Sequence, residues 1–311
     1  MDRAWFSDYS QRMDRAEIDL VRSFNRTLTE RVGVLHDRYL GRDRPIGQAR
    51  LLWEIGGGRG GDVRQLRERL GLDSGYLSRL LHALEADGLV TVRPHPGDQR
   101  VRAVELTEAG RAERALLGDL SDELAASMLA PLNPVQRTRL TTAMAEVERL
   151  LTAAVVTVHE VDPEHPDARH CLRAYYADLA ERFESGFDPL LSTLPDPGAL
   201  RAPHGLFLIA RLHGSPVGCV GLKLPAENET AEIKRMWVAP EVRGLGLARR
   251  FLAELEAAAI RHGRTALRLD TNRSLTAAIA LYRSAGFAEI PAFNHDPYAQ
   301  LWFEKPIRLG S

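Results

Sequence analysis

Residues 231–248 read AEIKRMWVAPEVRGLGLA. AEIKRMWV (231–238) has the length and apolar content of a strand, and APEV is a turn. Arg243-Gly244-Leu245-Gly246-Leu247-Ala248 then opens a helix with Phe251, Leu252, Leu255, Ala258 and Ala259 on one face. Strand, glycine-rich turn and helix N-terminus in that order make an anion-binding arrangement. The first-turn amides lack partners inside the helix, and the helix dipole is positive there. Gly246 and Ala248 are small enough to let phosphate oxygens approach the backbone. Glycines at a helix start also serve as plain caps. A dinucleotide site would instead follow an early strand, with an acidic residue about 20 positions later, and no Walker lysine is present.

Around this stretch, strands and helices alternate. VVTVHEV (155–161), GLFLIARL (205–212), VGCVGLKL (217–224), ALRLD (266–270) and QLWFE (300–304) read as further strands. Before them the pattern is helical, with Ile18, Val21, Val32 and Leu35 in one segment and Leu140, Met144, Val147 and Leu151 in another. The change falls near Ala153 to Val156, which predicts domains at 1–153 and 154–311. The 311 residues suit two domains at roughly 150 residues each.

Residues 62–88 read as helix, tight turn, helix. Gly71 follows the first helix, and Asp73 or Ser74 caps the second. Leu77, Leu80, Leu81 and Leu84 form the buried face of the second helix, leaving Gly75, Arg79 and His82 opposite, flanked by Tyr76 and Ser78. Small, polar and arginine side chains suit a helix lying in a major groove. LVTVR (89–93), PHPGD (94–98) and QRVRAVEL (99–106) form a hairpin, and Arg100 near its tip suits a minor groove. Asp98 can also pair with Arg100 and stiffen the hairpin.

Asp98-Gln-Arg100, followed by Leu106-Thr107-Glu-Ala-Gly110, resembles the wing pattern D-x-R-x5-L-T-x-x-G of MarR-type regulators. LGLDSGYLSRLLHALEADGLV (70–90) looks like their recognition-helix segment. The resemblance covers most of 10–152. It implies a winged helix-turn-helix that dimerises through its terminal helices and binds double-stranded DNA at a pseudo-palindromic site, with Ser74, Gly75, Tyr76, Ser78, Arg79, His82 and Arg100 as contacts.

Arg243-x-x-Gly246-x-Ala248 resembles the Q/R-x-x-G-x-G/A motif of the GNAT superfamily of N-acetyltransferases. LRLDTNRSLTAAIALYRSAGFAEI (267–290) looks like that superfamily's next strand and helix. This resemblance covers about 155–306 and implies an α/β (α+β) fold with a mixed central sheet. It also implies acetyl-CoA as cosubstrate. Met236, Trp237 and Val238 would offer backbone to the pantetheine arm, the amides from Arg243 to Ala248 would hold the pyrophosphate, and Asn272 would contact the cofactor or a bridging water. Tyr282 would be the acid for the departing thiolate and Glu232 the base, directly or through water. A strand amide near Val238 would stabilise the oxyanion. The reading is a bifunctional regulator and N-acetyltransferase acting on a primary amine, a small amine or amino acid, by direct attack in a ternary complex. The alternative is a DNA-binding repressor whose GNAT-like half only senses acetyl-CoA or a metabolite.

Composition narrows the class. Apolar residues make up 44% and charged residues 27%, as in globular chains. Net charge is −1, although residues 59–102 carry an excess of arginine. No apolar run approaches the ~20 residues of a membrane span, and MDRAWFSDYS has no signal-peptide pattern. Cys171 and Cys219 are the only cysteines, so neither a disulfide framework nor a four-cysteine zinc site is expected. No metal is predicted, His159, His165, His170 and Cys171 showing no recurring ligand spacing. A cytoplasmic location is expected. Arg182, Phe183, Phe187 and Asp188 are candidates for the border of the acceptor pocket.

Overall fold

The computed structural model describes residues 14–33, 39–57, 62–95, 98–184, 186–192, 197–226 and 229–307, with backbone alone at 95 and 98–101. The chain divides into two compact units, 1–142 and 143–311. The expected boundary at 153 lies further along, near the end of the helix Pro134–Val155.

The first unit holds α1 (Arg15–Val32), α2 (Ile46–Gly56), α3 (Val63–Leu70), α4 (Ser74–Ala86), the hairpin β1 (Val90–His95) and β2 (Asp98–Leu106), and α5 (Glu108–Leu129). The helix α6 (Pro134–Val155) follows. Leu51, Leu52, Leu66, Leu77, Leu84, Val90, Val104 and Leu117 form the core. The turn between α3 and α4 is built from caps. Asp62 accepts from Arg64 N at 2.7 Å, Gly71 takes the left-handed conformation at φ +63°, and Asp73 accepts from Tyr76 N at 2.8 Å.

The Leu106-Thr107-x-x-Gly110 stretch is the hinge pin of the wing. Thr107 Oγ1 accepts from Gly110 N at 3.0 Å and donates to Gly88 O at 2.7 Å, while Thr107 N donates to Leu89 O at 3.0 Å. One threonine therefore caps α5 and ties it to the end of α4. A Cβ on Gly110 would lie 1.9 Å from Leu89 O, so only glycine fits there.

α1 buries none of its residues, and Leu20, Val21, Phe24 and Leu28 are exposed along it. Glu113 on α5 binds Arg42 Nη2 at 2.8 Å and Arg44 Nε at 3.2 Å. The Arg42 hydrogen bond holds the Glu113 carboxyl below the usual carboxylate range, against the opposing effect of burial.

In the second unit a seven-stranded mixed sheet runs β3-β4-β5-β6-β7-β9-β8. Its strands are β3 (Thr157–Glu160), β4 (Gly205–Leu212), β5 (Ser215–Lys223), β6 (Thr230–Val238), β7 (Ala266–Thr271), β8 (Ala288–Ile290) and β9 (Leu301–Pro306). α7 (Pro166–Arg182), α8 (Leu247–Arg261) and α9 (Thr276–Ser284) complete the unit. The core is centred on Phe207, Ile209, Leu222, Phe251, Leu255, Leu267 and Phe303. β3 is shorter than the expected 155–161 because Val155 closes α6. The stretch 162–204 contains α7.

Two irregularities shape the sheet. β6 carries a bulge where Gly221 faces Lys234 and Cys219 faces Trp237, with Arg235 at φ +57°. β6 and β7 are parallel and pair only from Thr230–Ala266 to Glu232–Arg268. Beyond Glu232 they separate; one cavity is lined by both diverging ends, and a second lies against the β6 end alone.

Candidate functional site

The notch between β6 and β7 is floored by α8, whose N-terminus opens on it. Gly244 and Gly246 adopt φ +83° and +80°, a left-handed region that lets the chain turn from strand to helix. No side chain caps α8. Of the amides expected to hold a pyrophosphate, Arg243 N bonds Pro240 O at 3.2 Å and Leu245 N bonds Val242 O at 3.4 Å. Those of Gly244, Gly246, Leu247 and Ala248 have no acceptor among the described residues. Arg243 and Leu245 thus bond their amides within the turn. The Leu245 side chain packs against the core. Arg243 uses its guanidinium on Val238 O and Asp178, at 3.0 Å each.

A cavity of about 400 Å³ lies on the β6 side of this notch, lined by Met236, Trp237, Val238, Gly244, Gly246, Leu247, Ala248 and the facing sides of α7 and α9. Ala239 N–H bonds Val217 O at 2.9 Å on β5. Amide directions alternate along a strand, so the Val238 amide points away from β5, toward the notch. The buried Trp237 indole Nε1 has no partner among the described residues. Arg182, Arg243 and Arg249 border the cavity against Asp178 as the acid. Free amides, an unmatched buried donor and an excess of cationic side chains fit a long ligand with a phosphate end, which is the chemistry of a coenzyme A thioester.

A second cavity of about 110 Å³ adjoins it, sharing Tyr175, Leu179, Met236, Leu275 and Ala278. Tyr282 and Asn272 line this one. Burial pushes the Tyr282 phenol up, and the Asp270 carboxylate adds to the effect. Asn272 binds Tyr298 O through Nδ2 at 2.9 Å and Ser274 N through Oδ1 at 3.0 Å, so its amide group holds the cavity wall. Glu232 lines neither cavity. It is buried, bound by Arg268 Nη2 at 2.5 Å, with Lys234 Nζ at 3.8 Å. The pairing of β6 with β7 is what places it there, below the point where the strands part.

In the first unit, α4 exposes Ser74, Gly75, Tyr76, Arg79 and His82 and half-buries Ser78. These residues form two stripes. Ser74, Ser78 and His82 line a groove with Arg64, Arg67 and Arg102. Arg79 lies on the outer side, its guanidinium 5.7 Å from the Tyr76 ring centroid. Tyr76 reaches back to α2, where a Cβ on Gly47 would meet its hydroxyl at 2.8 Å. The side chain of Arg100 lies outside the described residues.

A model of the acetyltransferase (GNAT) family matches residues 166–287, and one of the MarR family matches 41–101. An IAA acetyltransferase of Azospirillum brasilense is 39% identical over 118 residues, 37% of this chain and 76% of that protein. An uncharacterised N-acetyltransferase of Schizosaccharomyces pombe is 30% identical over 155 residues, 50% of this chain and 92% of its own length. The chain belongs to the GNAT acetyltransferase family. It is an N-acetyltransferase joined to a MarR-type winged helix. The crystal structure of apo wild-type MarR from Escherichia coli aligns with 41% of this chain and 96% of its own, at 24% identity and a TM-score of 0.37.

Within the acetyltransferase unit, the residues missed from sequence come mainly from α7 and the loop 294–300. α7 carries Tyr175, Asp178 and Leu179 to the cavities. Its signal was present: Pro166 in the first turn, then Ala168, Cys171, Leu172, Tyr175 and Leu179 at helical spacing. Phe183 and Phe187 do line the smaller cavity, and Arg182 the larger. Asp188 instead donates its amide to the Tyr298 hydroxyl at 2.9 Å. Asp270, Asp296 and Tyr298 had no motif to mark them. Cys219 is core, its thiol 3.4 Å from Arg235 O.

Proposed function

We propose that the chain is a bifunctional regulator and acetyl-CoA-dependent N-acetyltransferase. One observation carries the enzymatic half: a cavity along β6, with unclaimed amides at α8, adjoins a second one walled by the Tyr282 phenol. Acetyl-CoA supplies the acetyl group, with its thiol as leaving group. The amides of Gly244, Gly246, Leu247 and Ala248 bind the pyrophosphate, and the β6 backbone from Met236 to Val238 lies along the pantetheine arm. The Val238 amide donates to the carbonyl oxygen as negative charge grows on it. Tyr282 donates its proton to the departing sulfur. The acceptor is a small amine or amino acid attacking directly in a ternary complex. Asn272 acts through the wall that it holds, and Glu232 through Lys234, which bonds Asp270 at 2.5 Å.

The regulatory half rests on residues 1–153 as a DNA-binding and dimerisation domain. Two such domains, joined through α1 and its exposed Leu20, Phe24 and Leu28, place paired α4 helices on a pseudo-palindromic duplex. Arg79 and His82 read the major groove, and Arg100 reads the minor groove. No helix among the described residues is long and apolar enough to cross a membrane.

Calorimetric titration of acetyl-CoA into wild type and Ala248→Glu tests the enzymatic half. A carboxylate at the first turn of α8 repels a pyrophosphate, so binding to the variant should weaken by at least about tenfold, which is 1.4 kcal/mol. Equal affinities would remove the α8 turn from the site.

A further inference from the structure

The smaller cavity has a chemically distinctive far end. Phe183, Phe187 and Tyr298 touch one another there: centroids are 4.8 Å apart for Phe187–Tyr298, 5.8 Å for Phe183–Tyr298 and 5.9 Å for Phe183–Phe187. Two hydrogen bonds fix the rings' loops together, Asp188 N to the Tyr298 hydroxyl at 2.9 Å and Ser192 Oγ to Asp296 Oδ2 at 2.7 Å. The aromatic wall is therefore preorganised, and its faces suit flat or compact apolar groups and cations.

Asp270 lines the same cavity as Tyr175 and Tyr282. Its two protein donors, Lys234 Nζ at 2.5 Å and Asn294 Nδ2 at 2.9 Å, both bind Oδ1. Among the described residues nothing donates to Oδ2. The carboxylate is thus held by one oxygen and offers the other.

We propose that the acceptor is a small primary amine on an aromatic or compact apolar skeleton, its ammonium meeting Asp270 Oδ2 and its skeleton lying against Phe183, Phe187 and Tyr298. This rests on the acetyl-transfer reading above and narrows it. The ammonium gives one proton to Asp270 Oδ2, and the freed lone pair on nitrogen forms the bond to the acetyl carbon. The carbon–sulfur bond breaks with its electron pair on sulfur, which takes the Tyr282 proton. The second proton lost from nitrogen returns to Tyr282, and Asp270 releases its proton to solvent. One proton leaves per amide formed.

Thiol release by the full chain, measured with phenethylamine, ethanolamine, aspartate and kanamycin, tests this together with acetyl-CoA calorimetry. Phenethylamine should show the highest kcat/KM. Phe187→Ala should lower the ratio of phenethylamine to ethanolamine kcat/KM by about 10- to 100-fold, the range for lost apolar pocket contacts. Asp270→Asn should lower kcat/KM for every amine. Because Asp270→Asn also disturbs Lys234, the Phe187→Ala ratio stands as an independent criterion. Preference for aspartate or kanamycin, or an unmoved ratio in Phe187→Ala, overturns the inference and leaves acetyl transfer intact. Failure of acetyl-CoA to bind, or turnover of no acceptor, overturns both.

Discussion

Replacing Gly110 with alanine should destabilise the winged-helix unit, although alanine is the better helix former. The added Cβ would lie 1.9 Å from Leu89 O and 3.0 Å from Leu89 C. Both are backbone atoms, so no side-chain rotation relieves the clash, and the strand start or α5 must move. Overpacking of this kind costs roughly 1–3 kcal/mol. Displacing Leu89 O also weakens its hydrogen bond from Thr107 N, worth about 1 kcal/mol. Alanine's helix propensity returns about 1 kcal/mol. The net expectation is a loss of about 1–3 kcal/mol, the difference of these contributions. Urea unfolding followed by circular dichroism reads it, with thiol release reporting on the acetyltransferase unit in the same samples. Operator binding should also weaken, because the wing is anchored to α4 through Leu89 and Thr107. A midpoint equal to or above wild type would show that helix propensity governs the position and that the Leu89 contact is not a constraint.

Further expectations follow from the site and its ion pairs. Tyr282→Phe should lower kcat with little change in acetyl-CoA affinity, since the phenol's proton is used only as sulfur departs; equal losses in both would make it a binding residue. Arg79→Ala should weaken operator binding in a mobility-shift titration while thiol release is retained; undiminished DNA affinity would remove it from the recognition surface. Glu113→Gln should destabilise the first unit at neutral pH. Glu113 titrates below its unfolded value, so its contribution is present above about pH 4.3 and is lost as pH falls through the folded value. Denaturation curves of wild type and variant should therefore converge in acid, and a constant gap would contradict the Arg42 pairing.

Much of the fold was legible because its signals are local. Asp62, Gly71 and Asp73 announce a helix-turn-helix through capping chemistry that needs no tertiary context. The L-T-x-x-G pattern has a local cause as well, a threonine cap beside a glycine that makes room for Leu89 O. The α8 turn was readable from Gly244 and Gly246 for the same reason. What the sequence did not show depends on long-range placement. Asp270 and Asp296 acquire meaning only when α7 and the loop 294–300 close over the end of β7. Glu232 reads as a base because it precedes the phosphate turn; that strand pairing ends at its own position and binds it to Arg268 is visible only in the fold. Alternation cannot reveal where two parallel strands part.

The most direct test of the central claim is acetyl-CoA-dependent thiol release by the purified chain against a panel of amines, amino acids and aminoglycosides, with Tyr282→Phe run beside wild type. Acceptor-dependent release that falls in the variant is the predicted result. Calorimetric binding of acetyl-CoA with no release from any acceptor would contradict it, leaving a notch that senses the thioester without turning it over.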